Sequence, residues 1–234
     1  YFATMVDIIT ASGGTVDKYM GDCIMALYGA PVRHDDDALR AVRTALEMLD
    51  RLPRFNAEQQ KKKRPPFAVG IGIAYGMVTV GNIGTDKKMD YTVIGDMVNL
   101  ASRLQGLTRT YRQELLISES LHRKVSSRMP CRLIDTVAVK GRKKGIRIYT
   151  AAARLPPALH EAWDRSNAAM DAYYARDFAR ASAMFAEVRR ALPNDYPSEL
   201  LERRCQDYAT DSSEYDTKRG AAHAPGGHWA KRTG

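Results

Sequence analysis

Residues 89–105, MDYTVIGDMVNLASRLQ, join a strand pattern to a helix pattern at a single glycine. The β-branched and aromatic run 91–94 predicts a strand, which the glycine ends. Asp96 then suits the N-cap of a helix, because its carboxylate can accept a backbone N–H. Asn99 and Arg103 lie four residues apart, so an amide and a guanidinium share one face of that helix near its start. A pair of this kind can bind a sugar and its phosphates.

The composition indicates a packed core and an excess of positive charge. Hydrophobic residues make up 44% of the 234 residues, and no apolar run reaches the roughly 18 residues that span a bilayer. Much of the formal net charge of +9 lies in the runs 61–64 and 140–147. No aromatic residues interleave these runs, which disfavours a nucleic-acid partner. The charge suits a polyphosphate ligand equally well. The three cysteines are widely spaced, which excludes a disulfide framework and fits a reducing compartment.

The order of the predicted elements indicates an α+β sandwich, with helices packed over one mixed sheet. Helices are predicted in 1–12, in 39–52, after Asp96 and in 119–126. A hairpin is predicted over 15–29 with its break at 20–22, and a second strand pair over 67–83 with its turn at Gly76. Further strands are predicted near 114–118, 132–139 and 146–152.

The composition changes at Leu155-Pro156-Pro157, and from residue 159 to about 208 the pattern is wholly helical. Its AxxxYxxxDFxxAxxxFxxV rhythm resembles a tetratricopeptide helix pair, which Pro193 closes. A single repeat cannot bury its own apolar face, so we expect it to pack on the preceding domain or on a protein partner. The polar segment 211–234 is expected to be disordered. These boundaries predict a domain over 1–153, a helical extension over 154–210 and a tail over 211–234.

The segment that starts at Tyr91 resembles the YxxxGxxVNxASR signature of the class III nucleotidyl cyclases, the adenylate and guanylate cyclase family. Three further segments resemble the same family, in the family's order: GGTVDKYMGDCIMALYGAP (13–31), GNIGTDKKMDYTVIGD (81–96) and VKGRKKGIRIY (139–149). The resemblance covers about 1–153. It implies a ferredoxin-like α+β cyclase core, here followed by a small all-α extension.

The resemblance also implies which residues bind metal, ribose and phosphate. Asp22 falls on the family's second metal-binding Asp. Asn99 and Arg103 match the pair that orients the ribose and stabilises charge on the α-phosphate. Lys140 matches the lysine that holds the β- and γ-phosphates, and Arg142 is a candidate helper. Two Mg²⁺ or Mn²⁺ ions per site are implied as cofactors.

The family's first metal-binding Asp lies in a Phe-x-Asp-(Ile/Met)-x-Gly-Phe motif upstream of the first helix, and this sequence contains no such motif. In the family both carboxylates share two metals. We therefore expect Asp22 alone to bind metal weakly, and this polypeptide by itself to be inactive or weakly active. The alternative is a regulatory or partner-binding module that uses the cyclase fold without turnover.

Two further residues fall on the positions that read the purine. Lys18 stands where the family's adenylate cyclases have Lys and its guanylate cyclases typically have Glu. An ammonium can donate to N1 of adenine, whereas guanine presents a donor there. The second position is Thr92, whose hydroxyl can either accept from or donate to the base. The resemblance thus favours ATP, converted to 3′,5′-cyclic AMP and pyrophosphate, with guanylate cyclase activity as an alternative.

In the family each active site forms between two cyclase domains. This chain carries residues of both halves, so a head-to-tail homodimer is predicted, and a monomer is expected to be inactive. The sequence opens in mid-pattern without an initiator Met, as expected for part of a longer protein. The helical extension resembles that of bacterial cyclases with upstream sensors and membrane helices. We therefore expect a cytoplasmic domain of a protein anchored in the inner membrane.

Overall fold

The computed structural model describes residues 1–138 and 145–210, and they cluster into two compact units. Unit 1 comprises Tyr1–Arg109 and Glu114–Ser127, and unit 2 comprises Thr110–Gln113 and the described residues from Arg128 onward. The predicted tail 211–234 lies outside the described residues. The domain boundaries drawn from the sequence stay predictions.

Helices and strands alternate along the first half of the chain, and helices alone follow the last strand. The helices are α1 (Phe2–Ala11), α2 (Asp37–Lys61), α3 (Asp96–Tyr111), α4 (Glu119–Val125), α5 (Pro157–Tyr174), α6 (Phe178–Ala191) and α7 (Tyr196–Thr210). The strands are β1 (Thr15–Met20), β2 (Cys23–Leu27), β3 (Ile71–Ile73), β4 (Thr79–Thr85), β5 (Lys88–Ile94), β6 (Leu115–Ser118), β7 (Cys131–Val137) and β8 (Ile146–Ala151). None of the helices in the described part of the chain is long and apolar enough to cross a bilayer.

The strands pair in both directions, which confirms the α+β prediction. β1 and β2 form the predicted antiparallel hairpin around Gly21-Asp22. β4 pairs antiparallel with β5, β7 antiparallel with β8, and β3 parallel with β6.

The predicted strand pair within 67–83 is wrong. β4 instead pairs with β5 across the two-residue turn Asp86-Lys87, because a tight turn closes a hairpin at less cost in chain entropy than a longer loop. β3 is left to pair with β6, which lies beyond α3. Strand periodicity identifies the strands, but it does not identify their partners.

Two helices also differ from their predicted limits. α2 runs for 25 residues and continues through Pro53, whereas its apolar periodicity ends near residue 52. The residues added are mostly exposed, so no hydrophobic pattern marks them. Asp96 is the first residue of α3 rather than the residue before it, a difference of one position at a helix end.

The backbone of β3 lies directly against α3 at Gly72. A Cβ added to Gly72 would collide with the backbone of Ala101 and Gln105. On the same helix Leu100 and Leu104 are buried in the core. Only glycine permits this approach, which fixes the position of the helix that carries Asn99 and Arg103.

Replacing Gly72 by alanine should therefore destabilise unit 1. Overpacking against backbone atoms costs about 1–3 kcal/mol and can cost more where backbone must move. The matched control is Gly106→Ala on α3, where an added Cβ meets nothing within 4 Å and alanine should stabilise the helix by about 0.5–1 kcal/mol. Urea unfolding of both variants measures the difference, and equal effects in the two would contradict this account of β3 and α3.

In unit 2, helices α5 and α7 and the loop before α7 bond to β7 through a buried arginine. The Arg132 side chain is only 2% exposed, and it forms a bidentate pair with Asp195 at 2.7 and 2.6 Å. It also donates to the hydroxyls of Ser166 and Ser198 at 2.8 and 3.0 Å. The helical segment thus packs on a neighbouring hairpin, as expected for a segment that cannot bury its own apolar face. Its likeness to a tetratricopeptide repeat stays a prediction.

Removing the charge of Asp195 should destabilise unit 2 strongly. Asp195→Asn leaves the Arg132 guanidinium buried without a carboxylate, a change that typically costs about 3–5 kcal/mol. The control is Glu187→Gln in the exposed pair Arg165–Glu187, where about 0–1 kcal/mol is expected. Denaturant unfolding compares the two variants with the unmodified protein.

The same pair predicts how stability depends on pH. Burial alone would raise the pKa of the Asp195 carboxyl, but the hydrogen bonds and charge of Arg132 hold it below its ordinary value. A carboxyl with a lowered folded pKa stabilises above its unfolded pKa near 4, and that contribution is lost as the pH falls through the folded pKa. Asp195→Asn should therefore reduce the loss of stability below about pH 4. If the free energy of unfolding falls below pH 4 as steeply in Asp195→Asn as in the unmodified protein, this explanation of the pH dependence is wrong.

Candidate functional site

Lys18 and Thr92 meet at one buried carboxylate, that of Asp17. The Thr92 hydroxyl donates to Asp17 Oδ2 at 3.0 Å, and Lys18 Nζ lies 3.7 Å from the same oxygen. The Asp17 side chain is 1% exposed, whereas the Lys18 side chain is 42% exposed. The structure thus brings together the two residues expected to read a purine. Asp17, which joins them, was not identified from the sequence.

A β-bulge explains why Asp17 points inward. In the β1–β2 ladder Val16 pairs with Ala26 and Lys18 with Met25, so Asp17 is the extra residue without a partner. Bulges re-aim a side chain relative to the regular alternation. The only sequence signal is an acidic residue inside a strand pattern, and that signal does not identify a bulge.

Asp22 lies at the tip of the β1–β2 hairpin. Gly21 before it has φ +63°, a conformation that favours glycine, and Asp22 itself is exposed. Burial raises the pKa of the Tyr1 hydroxyl, and the charges of Cys23 and Asp22 raise this pKa further. The Asp22 carboxylate is therefore held by a tight turn and open to solvent.

Asp22 alone does not fit a two-metal centre. Within 1–138 and 145–210, no group of three or more His, Cys, Asp or Glu side chains could hold a metal ion. Mg²⁺ beside phosphates takes one or two protein carboxylates, and Asp22 can supply one. A two-metal centre needs further ligands beside Asp22.

Asn99 and Arg103 lie on the first turns of α3. The helix follows Gly95, whose φ of +149° turns the chain out of β5. Asn99 is exposed and Arg103 half-buried. Neither side chain makes a hydrogen bond or an ion pair with any residue that the structure describes. Both remain available for a sugar or a phosphate.

Lys140 and Arg142 lie outside the described residues, so their expected contacts with phosphates stay predictions. The remaining candidates occupy three places in unit 1: the Asp17 carboxylate with Lys18 and Thr92, the hairpin tip with Asp22, and the start of α3. Chemically these places offer an ammonium and a hydroxyl beside a buried carboxylate, one exposed carboxylate, and an amide with a guanidinium.

Comparison with known proteins identifies the family of this chain. The family described as the adenylate and guanylate cyclase catalytic domain matches residues 1–152. An adenylate cyclase of Anabaena cylindrica is 42% identical over 160 residues, which are 65% of this chain and 31% of that protein. The chain thus spans about a third of the length of this relative.

Two solved structures share the fold. The adenylyl cyclase CyaB from P. aeruginosa is 33% identical with a TM-score of 0.61, covering 66% of this chain and 80% of that one. The guanylyl cyclase Cya2 is 38% identical with a TM-score of 0.58, covering 67% and 79%. They confirm the α+β cyclase core, and they are named for different purine nucleotides.

Proposed function

Since this chain belongs to the adenylate and guanylate cyclase family, we propose that it is the catalytic region of an adenylate cyclase. It would convert ATP to 3′,5′-cyclic AMP and pyrophosphate in cyclic-nucleotide signalling. The observation that carries the choice of ATP is the Lys18 ammonium, held beside Thr92 by Asp17. An ammonium donates to adenine N1, where guanine has a hydrogen of its own.

In the proposed reaction the ribose 3′-oxygen bonds to the α-phosphorus as the bond to the β-phosphate oxygen breaks. The 3′-hydroxyl proton passes to solvent, and pyrophosphate leaves with the electron pair of the broken bond. Asn99 would orient the ribose, and Arg103 would stabilise the negative charge that builds on the α-phosphate oxygens. Lys140 and Arg142 would hold the leaving β- and γ-phosphates. Asp22 would be one ligand of a divalent metal, Mg²⁺ or Mn²⁺, and the bound metal would supply positive charge that favours loss of the 3′-hydroxyl proton and offsets the charge of the triphosphate.

We also propose that the active form is a head-to-tail homodimer. The support is that one chain carries a metal-binding carboxylate as well as the purine, ribose and phosphate residues of the family's sites. A cytoplasmic position in a parent protein anchored in the inner membrane rests only on the resemblance of the helical extension. Contact of that extension with a further protein likewise stays a prediction.

The test is cyclic nucleotide production by the full-length protein with Mn²⁺ and either ATP or GTP. We expect cyclic AMP from ATP, and Arg103→Ala should lower kcat by about a hundredfold to a thousandfold, since it removes charge stabilisation in the transition state. The matched control is Arg109→Ala, an exposed arginine later on α3, which should leave kcat near its original value.

Two results would redirect the proposal. A preference for GTP in this assay would favour a guanylate cyclase. No cyclic nucleotide from a sample shown to be dimeric would favour the module without turnover, for which the single carboxylate Asp22 is the motivating observation.

Mixing two inactive variants tests the shared site. Asp22→Asn and Arg103→Ala should each be nearly inactive, because each damages both sites of a homodimer. In a mixture that exchanges subunits, half of the dimers would combine the two variants, and one of their two sites would be intact. Activity should therefore return to about a quarter of the original value. No recovery, with exchange verified by a tagged subunit, would contradict a site shared between chains.

A further inference from the structure

We propose that Asp17 is a positioning residue that fixes the hydrogen-bond polarity of Thr92, so that the purine site reads adenine and rejects guanine. This inference rests on the proposed function. It assigns a role to a residue that contacts no substrate itself and acts through its neighbour Thr92.

The carboxylate of Asp17 is placed for this role by the fold. The β1 bulge removes Asp17 from the regular pairing with β2, and its side chain is 1% exposed. One oxygen, Oδ2, faces both Thr92 Oγ1 at 3.0 Å and Lys18 Nζ at 3.7 Å. A buried carboxylate needs such partners, because leaving it without them is costly.

Counting hydrogens shows what Asp17 does to Thr92. A threonine hydroxyl has one hydrogen to donate and two lone pairs to accept with, and an ionised carboxylate can only accept. Since the single hydrogen of Thr92 points to Asp17, the oxygen has only lone pairs left for a ligand. The ambiguity of a threonine, which by itself can donate or accept, is thereby removed.

The site then presents a donor beside an acceptor. Lys18 can only donate, and Thr92 held by Asp17 can only accept. Adenine presents the opposite pair, an acceptor at N1 and a donor at its 6-amino group. Guanine presents a donor at N1 and an acceptor at O6, so it conflicts with the site at both positions. Both residues therefore discriminate in the same direction.

Removing the charge of Asp17 should free the hydroxyl of Thr92. An asparagine side chain can face Thr92 with its oxygen or with its amide hydrogens. In the second orientation the threonine hydrogen is released and can turn towards O6 of guanine. Discrimination against GTP should weaken while the chemistry at the phosphates is left in place.

The experiment compares kcat/KM for ATP and for GTP in the full-length protein. Asp17→Asn should lower the ratio of kcat/KM for ATP to kcat/KM for GTP about tenfold or more. The change should appear mainly in KM, because one hydrogen bond that distinguishes adenine from guanine is lost. Asp17→Glu keeps an acceptor-only group and should keep more of the preference. Asp50→Asn, an exposed carboxylate on α2, is the matched control for the charge change and should keep all of it.

A double variant distinguishes positioning from a general structural effect. If Asp17 acts through Thr92, then Asp17→Asn should change the nucleotide preference little in a Thr92→Val background. An equal further loss in that background would overturn the proposal. Should Asp17→Asn fail to fold by circular dichroism, Thr92→Ser and Thr92→Val leave Asp17 in place. The serine must keep the preference and the valine must lower it, since Lys18 remains in both, and equal values in the two variants would also overturn the proposal.

Failure of this inference differs from failure of the proposed function. If Asp17→Asn produces cyclic AMP with the same nucleotide preference as the unmodified protein, only the role of Asp17 is overturned. If the unmodified protein makes no cyclic nucleotide, the proposed function fails, and the purine site is tested by competition of unlabelled ATP and GTP with a ribose-labelled fluorescent ATP. The inference is supported if the unmodified protein binds ATP more tightly than GTP and Asp17→Asn abolishes this difference. It is overturned if the unmodified protein binds ATP and GTP equally.

Discussion

The hydrogen bond from Thr92 to the buried Asp17 carboxylate joins two hairpins that pair as separate sheets, β1–β2 and β4–β5. Among the described residues, no strand of one hairpin pairs with a strand of the other. The side-chain hydrogen bond from Thr92 to Asp17 therefore connects the two hairpins. Because β5 leads through Gly95 into α3, this bond also limits where that helix can begin. The base-reading and ribose-binding parts of the proposed site therefore depend on one carboxylate.

A second constraint holds α3 from its other side. Gly72 brings the backbone of β3 against Ala101 and Gln105, and buried leucines on the helix complete the contact. Asn99 and Arg103 are then free of partners among the described residues, yet they stand on a helix that cannot shift. A group that is rigidly placed but unpaired can bind a developing charge without first breaking an internal contact.

Sequence reasoning succeeded where the deciding forces are local. Amphipathic periodicity located the helices, and glycine placed the turn at Asp22 and the junction before α3. It failed where a contact distant in sequence decides the structure: β3 pairs with β6 although the chain between them is long. The bulge at Asp17 was invisible for the same reason, since it is defined by which residue of β2 stands opposite. The candidate residues came from a family signature, whereas the carboxylate that organises two of them came only from the structure.

This chain supplies more of the groups proposed to bind the nucleotide than of those proposed to bind metal. In the proposed site Lys18 and Thr92 would bind the base and Asn99 and Arg103 the ribose and phosphate, whereas Asp22 is the one carboxylate assigned to metal, and no group of three or more metal-ligating side chains occurs among the described residues. Metal binding is therefore the part of the proposed site that most needs a further carboxylate. If that carboxylate is supplied only when the domains assemble correctly, nucleotide binding and turnover are separable. Binding would then follow the geometry around Asp17, and turnover would follow assembly.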